Sequence, residues 1–186
     1  MPIVPTTVVA ASSDPAATLD PHQSATVVVK PAVGIGGNDA ERGRADDPAL
    51  REHLAALLAV GDVLVQPYVA SIETSGETSL IVFDDRVSHA VTKRPAGGEF
   101  RIHDHRGGTY GEVEPSREQH ELAVAAREAA SSITGHRLLY ARADLVAGDD
   151  GRSLLMELEL IEPSLYLHTV PSATAALADA IVAAVG

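Results

Sequence analysis

Leu154-Leu155-Met156-Glu157-Leu158-Glu159-Leu160-Ile161-Glu162-Pro163-Ser164-Leu165 is the stretch whose reading decides the fold. It alternates as a half-buried β-strand does, because successive strand side chains point to opposite faces. Met156, Leu158 and Leu160 are expected on one face, Glu157 and Glu159 on the other. Side chains two residues apart on a strand stand roughly 7 Å apart. Carboxylates at that spacing repel each other unless water or a cation lies between them. Oxygen-only ligands suit a hard cation, Mg²⁺ (or Mn²⁺) in particular. A strand whose polar face is simply wet shows the same alternation, so the rest of the chain must weigh the two.

Just upstream, 138–147 reads as a strand, 148–151 as a turn and 152–160 as the antiparallel partner. That pairing sets Asp144 beside Glu157 and Glu159, and three converging carboxylates call for a cation. Ser116-Arg117-Glu118-Gln119 is a capping box. It opens a helix to about residue 134, with Leu122, Ala125, Ala126, Ala129 and Ile133 inward and Gly135 as its stop. Ser172 opens a last Ala-rich helix with Leu177 and Ile181 inward. Residues 77–83 and 86–93 alternate and meet at Asp84-Asp85, a β-hairpin. From Lys93 to Gly108 the chain gathers Lys93, Arg94, Arg101 and Arg106 with His103 and His105. Such a loop is either solvated or anion-binding. His103 and His105 alternate as strand ligands could, but no third nitrogen ligand stands near.

The first third opens with a short edge strand, since Pro2 and Pro5 cannot donate ladder bonds. Residues 12–21 read as loop or a short helical turn. Residues 26–31 are a β-branched strand ending in Lys30 and Pro31, followed by Gly34, Gly36 and Gly37. Glycines let backbone approach a ligand closely, and successive N–H groups can wrap phosphate oxygens beside a lysine. A turn needs no more than the glycines. Residues 48–60 read as a helix with Leu50, Leu54, Leu57 and Leu58 on one stripe, Asp47 as N-cap and Gly61 as stop. Val63-Leu64-Val65-Gln66 is a short buried strand running into a stiff Pro67-Tyr68-Val69 connector.

With 186 residues the chain makes one ordinary domain or two small ones. Apolar residues reach 45% but aromatics only 3%, so the core must be Val, Leu, Ile and Ala. A net charge of −12 argues against nucleic acid as a partner. With no cysteine there are neither disulfides nor thiolate metal sites. No run nears the ~18 apolar residues of a membrane span, and no secretory signal opens the chain. A cytoplasmic location is the expectation.

Lined up in order, these pieces resemble the ATP-grasp superfamily, the fold of glutathione synthetase and D-alanine–D-alanine ligase. The likeness is nearest to its actinobacterial and cycloserine-forming ligases. It rests on Val27-Val28-Val29-Lys30-Pro31 with its glycines, Val63-Leu64-Val65-Gln66-Pro67-Tyr68, Ser75-Gly76-Glu77-Thr78-Ser79-Leu80, and Ser88 to Pro95. It continues through Gly98-Glu99-Phe100-Arg101-Ile102-His103, Arg106-Gly107-Gly108, Tyr140-Ala141-Arg142-Ala143-Asp144, and the opening stretch from Met156. Each motif is short; the ordered set covers nearly the whole chain.

The resemblance implies an α+β fold of two lobes, 1–66 and 67–186, with mainly antiparallel sheets clasping ATP. Lys30 would meet the phosphates, with Gly34, Gly36 and Gly37 over them. Gln66, Pro67, Tyr68 and Val69 would be the hinge whose backbone reads adenine, and Glu73 or Glu77 would lie on the ribose side. Lys93 and Arg101 would stabilise charge on the phosphoryl group in transfer. Asp144, Glu157 and Glu159 would hold Mg²⁺; relatives often have Asn where Glu159 stands. Glu162 is a further acidic candidate. The implied reaction activates a carboxylate substrate as an acyl phosphate for an amine or similar nucleophile. Family members carry a further N-terminal domain and an earlier phosphate-binding lysine, whereas residues 1–29 contain no Lys or Arg. The expectation is therefore the catalytic portion of a longer ligase. The competing expectations are a non-catalytic nucleotide-binding or partner-interaction module, and a plain acidic structural domain.

Overall fold

The computed structural model describes residues 1–34, 36–94 and 108–186, which divide into two units. One is Val4–Val69; the other joins Met1–Ile3 to Ala70–Gly186. The division falls after Val69, three residues beyond the expected lobe boundary, and the first three residues belong to the second unit.

In the Val4–Val69 unit, strands β1 (Thr7–Val9), β2 (Thr26–Pro31), β3 (Glu41–Arg44) and β4 (Val63–Pro67) form an antiparallel sheet in the order β1-β4-β2-β3. Strand alternation puts Val27, Val29, Val63 and Val65 on one face, fully buried. Helix α2 (Pro48–Leu58) covers that face with Leu50, Leu54 and Leu58, one turn apart, and α1 (Pro15–Leu19) adds Leu19. Helix α2 begins where expected: the Asp47 carboxylate accepts from the Ala49 N–H at 2.9 Å, and Pro48 needs no donor at the first position. A single 3₁₀ turn, Asp20–His22, follows α1.

The second unit is a five-stranded antiparallel sheet in the order β7-β6-β5-β8-β9. Its strands are β5 (Glu77–Phe83), β6 (Arg86–Arg94), β7 (Thr109–Val113), β8 (Tyr140–Ala147) and β9 (Ser153–Glu159). The hairpin turns at Asp84-Asp85 as read from the sequence, with Phe83 opposite Arg86. Helix α3 (Ser71–Ser75) is one turn leading into β5; α4 (Arg117–Thr134) carries both capping-box bonds and stops at left-handed Gly135. One sheet face packs Leu80, Val82, Ala90, Ala141, Ala143, Leu145 and Leu155 against Leu122, Ala123 and Ala126 of α4. On the opposite face, Ile81, Phe83 and Val91 meet Tyr166, Val170 and Ala173, the last opening α5 (Ala173–Val185). At the β9 edge, Leu155 N–H donates to the Pro2 carbonyl at 3.1 Å.

Several expectations are corrected. Ala125 is exposed and Ile133 is 85% exposed, because α4 meets the sheet along the neighbouring stripe through Ala123 and Arg127. Ile181 is 43% exposed, since only Ala173, Leu177 and Ala180 of α5 face the sheet. In β9 the strict alternation fails. Leu145 pairs with Leu155 but Asp144 pairs with Glu157, so Met156 is an extra, bulged residue. Leu155, rather than Met156, joins Leu158 and Leu160 against the α4 side.

Candidate functional site

Sheet register builds the site in the second unit. Three neighbouring rows on the face opposite α4 carry its groups. In one row Tyr110 lies opposite Lys93, and Lys93 opposite Glu77. The next row runs Glu112, Val91, Ser79, Asp144, Glu157. The third runs His89, Ile81, Arg142, Glu159. The β9 bulge matters here, because it restores Glu157 and Glu159 to the face of Asp144 after Leu155 has pointed the other way.

Asp144 is the hub. It is buried, accepts a short hydrogen bond from the Ser79 hydroxyl, and is gripped by the Arg142 fork, with Nε to Oδ1 at 3.0 Å and Nη2 to Oδ2 at 2.8 Å. Lys93 Nζ lies 3.3 Å from Oδ2 and also pairs with Glu77. Arg142 reaches on to Glu159. Burial alone would lift the Asp144 carboxyl, but Lys93, Arg142 and the Ser79 hydroxyl outweigh it and hold it below the usual range. Burial alone would also discharge Lys93, which is only 4% exposed; Asp144 and Glu77 reverse this and raise it. Glu77 is pushed up by its burial, with Lys93 opposing, and burial likewise raises Glu159 against the pull of Arg142.

The donor set fits a divalent cation. Asp144, Glu157 and Glu159 each offer a carboxylate oxygen, and these oxygens lie within 4.8 Å of one another. With Glu77, this cluster sets four carboxylates against the two cations Lys93 and Arg142, while Glu112 stands at the β7 edge of the same face. Fully ionised, the cluster keeps two uncompensated negative charges. Glu157 is exposed and makes no ion pair among the described residues. All-oxygen donors with excess negative charge suit Mg²⁺ or Mn²⁺.

The other candidates lie elsewhere. Lys30 and Gln66 are on the β2–β4 face turned away from α2, where Val28 stands opposite both Gln66 and Arg42. The Gln66 side chain is buried and donates to the Thr6 hydroxyl at 2.8 Å. The Tyr68 N–H donates to the Thr26 carbonyl at 3.0 Å, and the Arg42 guanidinium lies 4.6 Å from the Tyr68 ring centre. Strand alternation therefore turns the Pro67 carbonyl away from β2, with Val69 next in the connector. Gly36 and Gly37 hold φ near +64° and +63°, consecutive left-handed residues that only glycine adopts without strain. His53 ties the end of that loop to α2 through the Asp39 carbonyl at 2.8 Å. Glu73 is exposed on α3, whereas Glu77 stands in the charged face. Arg101, His103 and His105 lie outside the described residues.

Sequence reasoning missed Arg142, Ser79 and Tyr166. The signal for Arg142 was present: an arginine in an otherwise apolar strand, two residues before Asp144 and therefore on its face. A family model for the ATP-grasp domain of prokaryotic glutathione synthetase matches residues 1–164. The cycloserine biosynthesis protein DcsG of Streptomyces lavendulae is 38% identical over 181 residues, covering 90% of this chain and 59% of that protein. The glutathione synthetase of Pseudomonas putida is 30% identical over 142 residues, 75% of this chain and 42% of that protein. The chain thus spans about half the length of these relatives. The crystal structure of D-cycloserine synthetase DcsG superposes with a TM-score of 0.82 at 33% identity, over 96% of this chain and 65% of that one. A D-alanine–D-alanine ligase from Bacillus anthracis gives 0.69 at 19% identity, over 97% and 61%, a likeness of fold alone. The expected α+β, mainly antiparallel ATP-grasp fold is borne out.

Proposed function

We propose, from the premise that this chain belongs to the ATP-grasp family of prokaryotic glutathione synthetases, that it is the ATP-binding and catalytic part of an ADP-forming ligase of the cytoplasm. In this reading a carboxylate substrate takes the γ-phosphoryl group of ATP on one oxygen, and ADP leaves. An amine or similar nucleophile then attacks the acyl carbon of the resulting acyl phosphate, and inorganic phosphate leaves.

The charged sheet face carries the reading, with Lys93 and Arg142 paired to the carboxylates of Glu77, Asp144 and Glu159. Lys93 is kept charged by Glu77 and Asp144, so it is a fixed point charge for phosphate oxygens. Arg142 offers a planar fork while it fixes Asp144 and Glu159. Asp144, Glu157 and Glu159 would hold Mg²⁺, which when bound neutralises phosphoryl oxygens as charge shifts during transfer. Arg101 would add its permanent charge to the group in flight, from outside the described residues. Lys30 with Gly34, Gly36 and Gly37 would receive the ATP phosphates. Gln66, Pro67, Tyr68 and Val69 would read adenine through backbone groups. Glu73 or Glu77 would lie on the ribose side.

Calorimetry with ATP and Mg²⁺ tests the reading. The wild-type chain should bind, and Lys30→Ala should weaken binding by about 10–100-fold, the worth of a charge-assisted contact. Equal affinity in that variant removes Lys30 from the site. A non-catalytic nucleotide-binding or partner-interaction module is the second reading. Release of ADP with candidate acids and amines separates the two.

A further inference from the structure

The loop after β9 turns back over the charged face and is gripped by that face at two points. Arg142 Nη1 donates to the Ser164 carbonyl at 3.4 Å, and His89 Nε2–H donates to the Leu165 carbonyl at 2.8 Å. Both grips come from one register row, with Ile81 between them. Glu162 and Tyr166 each hold φ at +49°, left-handed positions uncommon for residues other than glycine. The second of these drives Tyr166 into the sheet. Its side chain is buried, its ring centre 5.7 Å from the Arg142 guanidinium carbon and 5.4 Å from the Tyr110 ring. Beyond it stand Ile81, Phe83, Val91 and Val170. Tyr166 is thus the boundary between the apolar cluster and the charged groups.

We infer that Tyr166 is a positioning residue whose ring, lying over the Arg142 guanidinium, holds that side chain in the fork that grips Asp144 and Glu159. A guanidinium on a flexible stem, with five carboxylates on its sheet face, has several places to go. The ring closes one side to water and favours the cation where it stands. An attraction of this kind is worth about tenfold in the population of the held fork. The inference rests on the proposed function only for what the fork is held to do; the holding is measurable without nucleotide.

The test is hydrogen exchange at the Arg142 Nε–H in the ¹⁵N-labelled chain, its signal assigned by loss in Arg142→Lys. Wild type should show a protected signal. Tyr166→Leu should exchange about tenfold faster. Tyr166→Phe, which keeps the ring, should keep the wild-type rate. Backbone amides of Ala141 and Ala143 should keep their rates in all three; acceleration there in step with Arg142 would mean general loosening and overturn the inference. An unprotected wild-type signal, or an unchanged rate in Tyr166→Leu, also overturns it. Should Tyr166→Leu not fold, Tyr166→Met, which fills the site without a ring, takes its place with the same expected and overturning rates; loss of protection in Tyr166→Phe assigns the effect to the hydroxyl and overturns the inference. MgATP calorimetry on the same samples keeps the two readings apart. Wild type that binds no MgATP sinks the functional reading and leaves the exchange result standing. If it binds, Tyr166→Leu should bind more weakly and Tyr166→Phe should not.

Discussion

At the scale of single residues, burial and pairing decide which groups keep their charge. His89 shows the unpaired case. It is buried beside Phe83, and because a carbonyl can only accept, Nε2 must carry the proton it gives to Leu165. Burial lowers its pKa from the ordinary 6.5, the Leu165 carbonyl and the Glu112 carboxylate pulling the other way. Unfolded chain therefore binds more protons than folded chain between the lowered value and 6.5. The contribution of His89 to stability is complete above about pH 6.5 and is lost as the pH falls through the folded value. Urea midpoints of wild type should drop between pH 7.5 and pH 5.5, and His89→Gln should flatten that part of the drop. Identical slopes in the two proteins would remove His89 from the acid response. None of this was legible in the sequence, where His89 is one polar residue in an alternating strand. Arg142 was legible in principle and missed, because Asp144 was read for its carboxylate and not for the cation two residues before it.

Elements were legible where one physical signal dominated. Helix α2 had a cap, a proline at the first position and leucines one turn apart; the β5–β6 hairpin had alternation on both sides of two aspartates. Strand β3 is Glu41-Arg42-Gly43-Arg44, with no apolar alternation to read, and β7 contains Gly111 between Tyr110 and Glu112. Helix α3 is a single turn of Ser, Ile, Glu, Thr and Ser, and its purpose shows only at its end. Gly76 there holds φ at +77°, and a Cβ would collide with the Lys93 carbonyl oxygen. The turn thus brings the start of β5 against the strand that carries Lys93, within reach of Glu77. Gly76→Ala should cost about 1–3 kcal/mol from the backbone conformation, with the collision added. Gly61→Ala, where a Cβ meets nothing within 4 Å and φ is not positive, is the comparison. Urea unfolding of the two variants should separate them widely, and equal midpoints would sink the argument. The β9 bulge was the remaining illegible feature: one extra residue at Met156 switches which side chains share a face, and no propensity marks it.

At the scale of the molecule, stability and ligand binding are linked, since a ligand that binds only folded chain stabilises it by RT ln(1 + [L]/Kd). At a hundred times Kd, MgATP should add about 2.7 kcal/mol, seen as a rise in melting temperature. The choice of variant decides whether such an experiment speaks about the metal. Asp144 is unsuitable: removing it strands Lys93 and Arg142 as buried, half-paired cations, a change that typically costs about 3–5 kcal/mol by itself. Glu157 has the opposite character. It stands in the same cluster of oxygen donors, yet it is exposed and forms no ion pair among the described residues. Glu157→Gln should therefore melt within about 0.5 kcal/mol of wild type without ligand. The loss should appear only on adding ATP with Mg²⁺, where the variant should gain clearly less than wild type. ATP with a chelator in place of Mg²⁺ should bring the two proteins together again. If Glu157→Gln gains as much from MgATP as wild type does, the cluster of Asp144, Glu157 and Glu159 is a wet strand face after all. The cation that accompanies ATP must then be held by other groups.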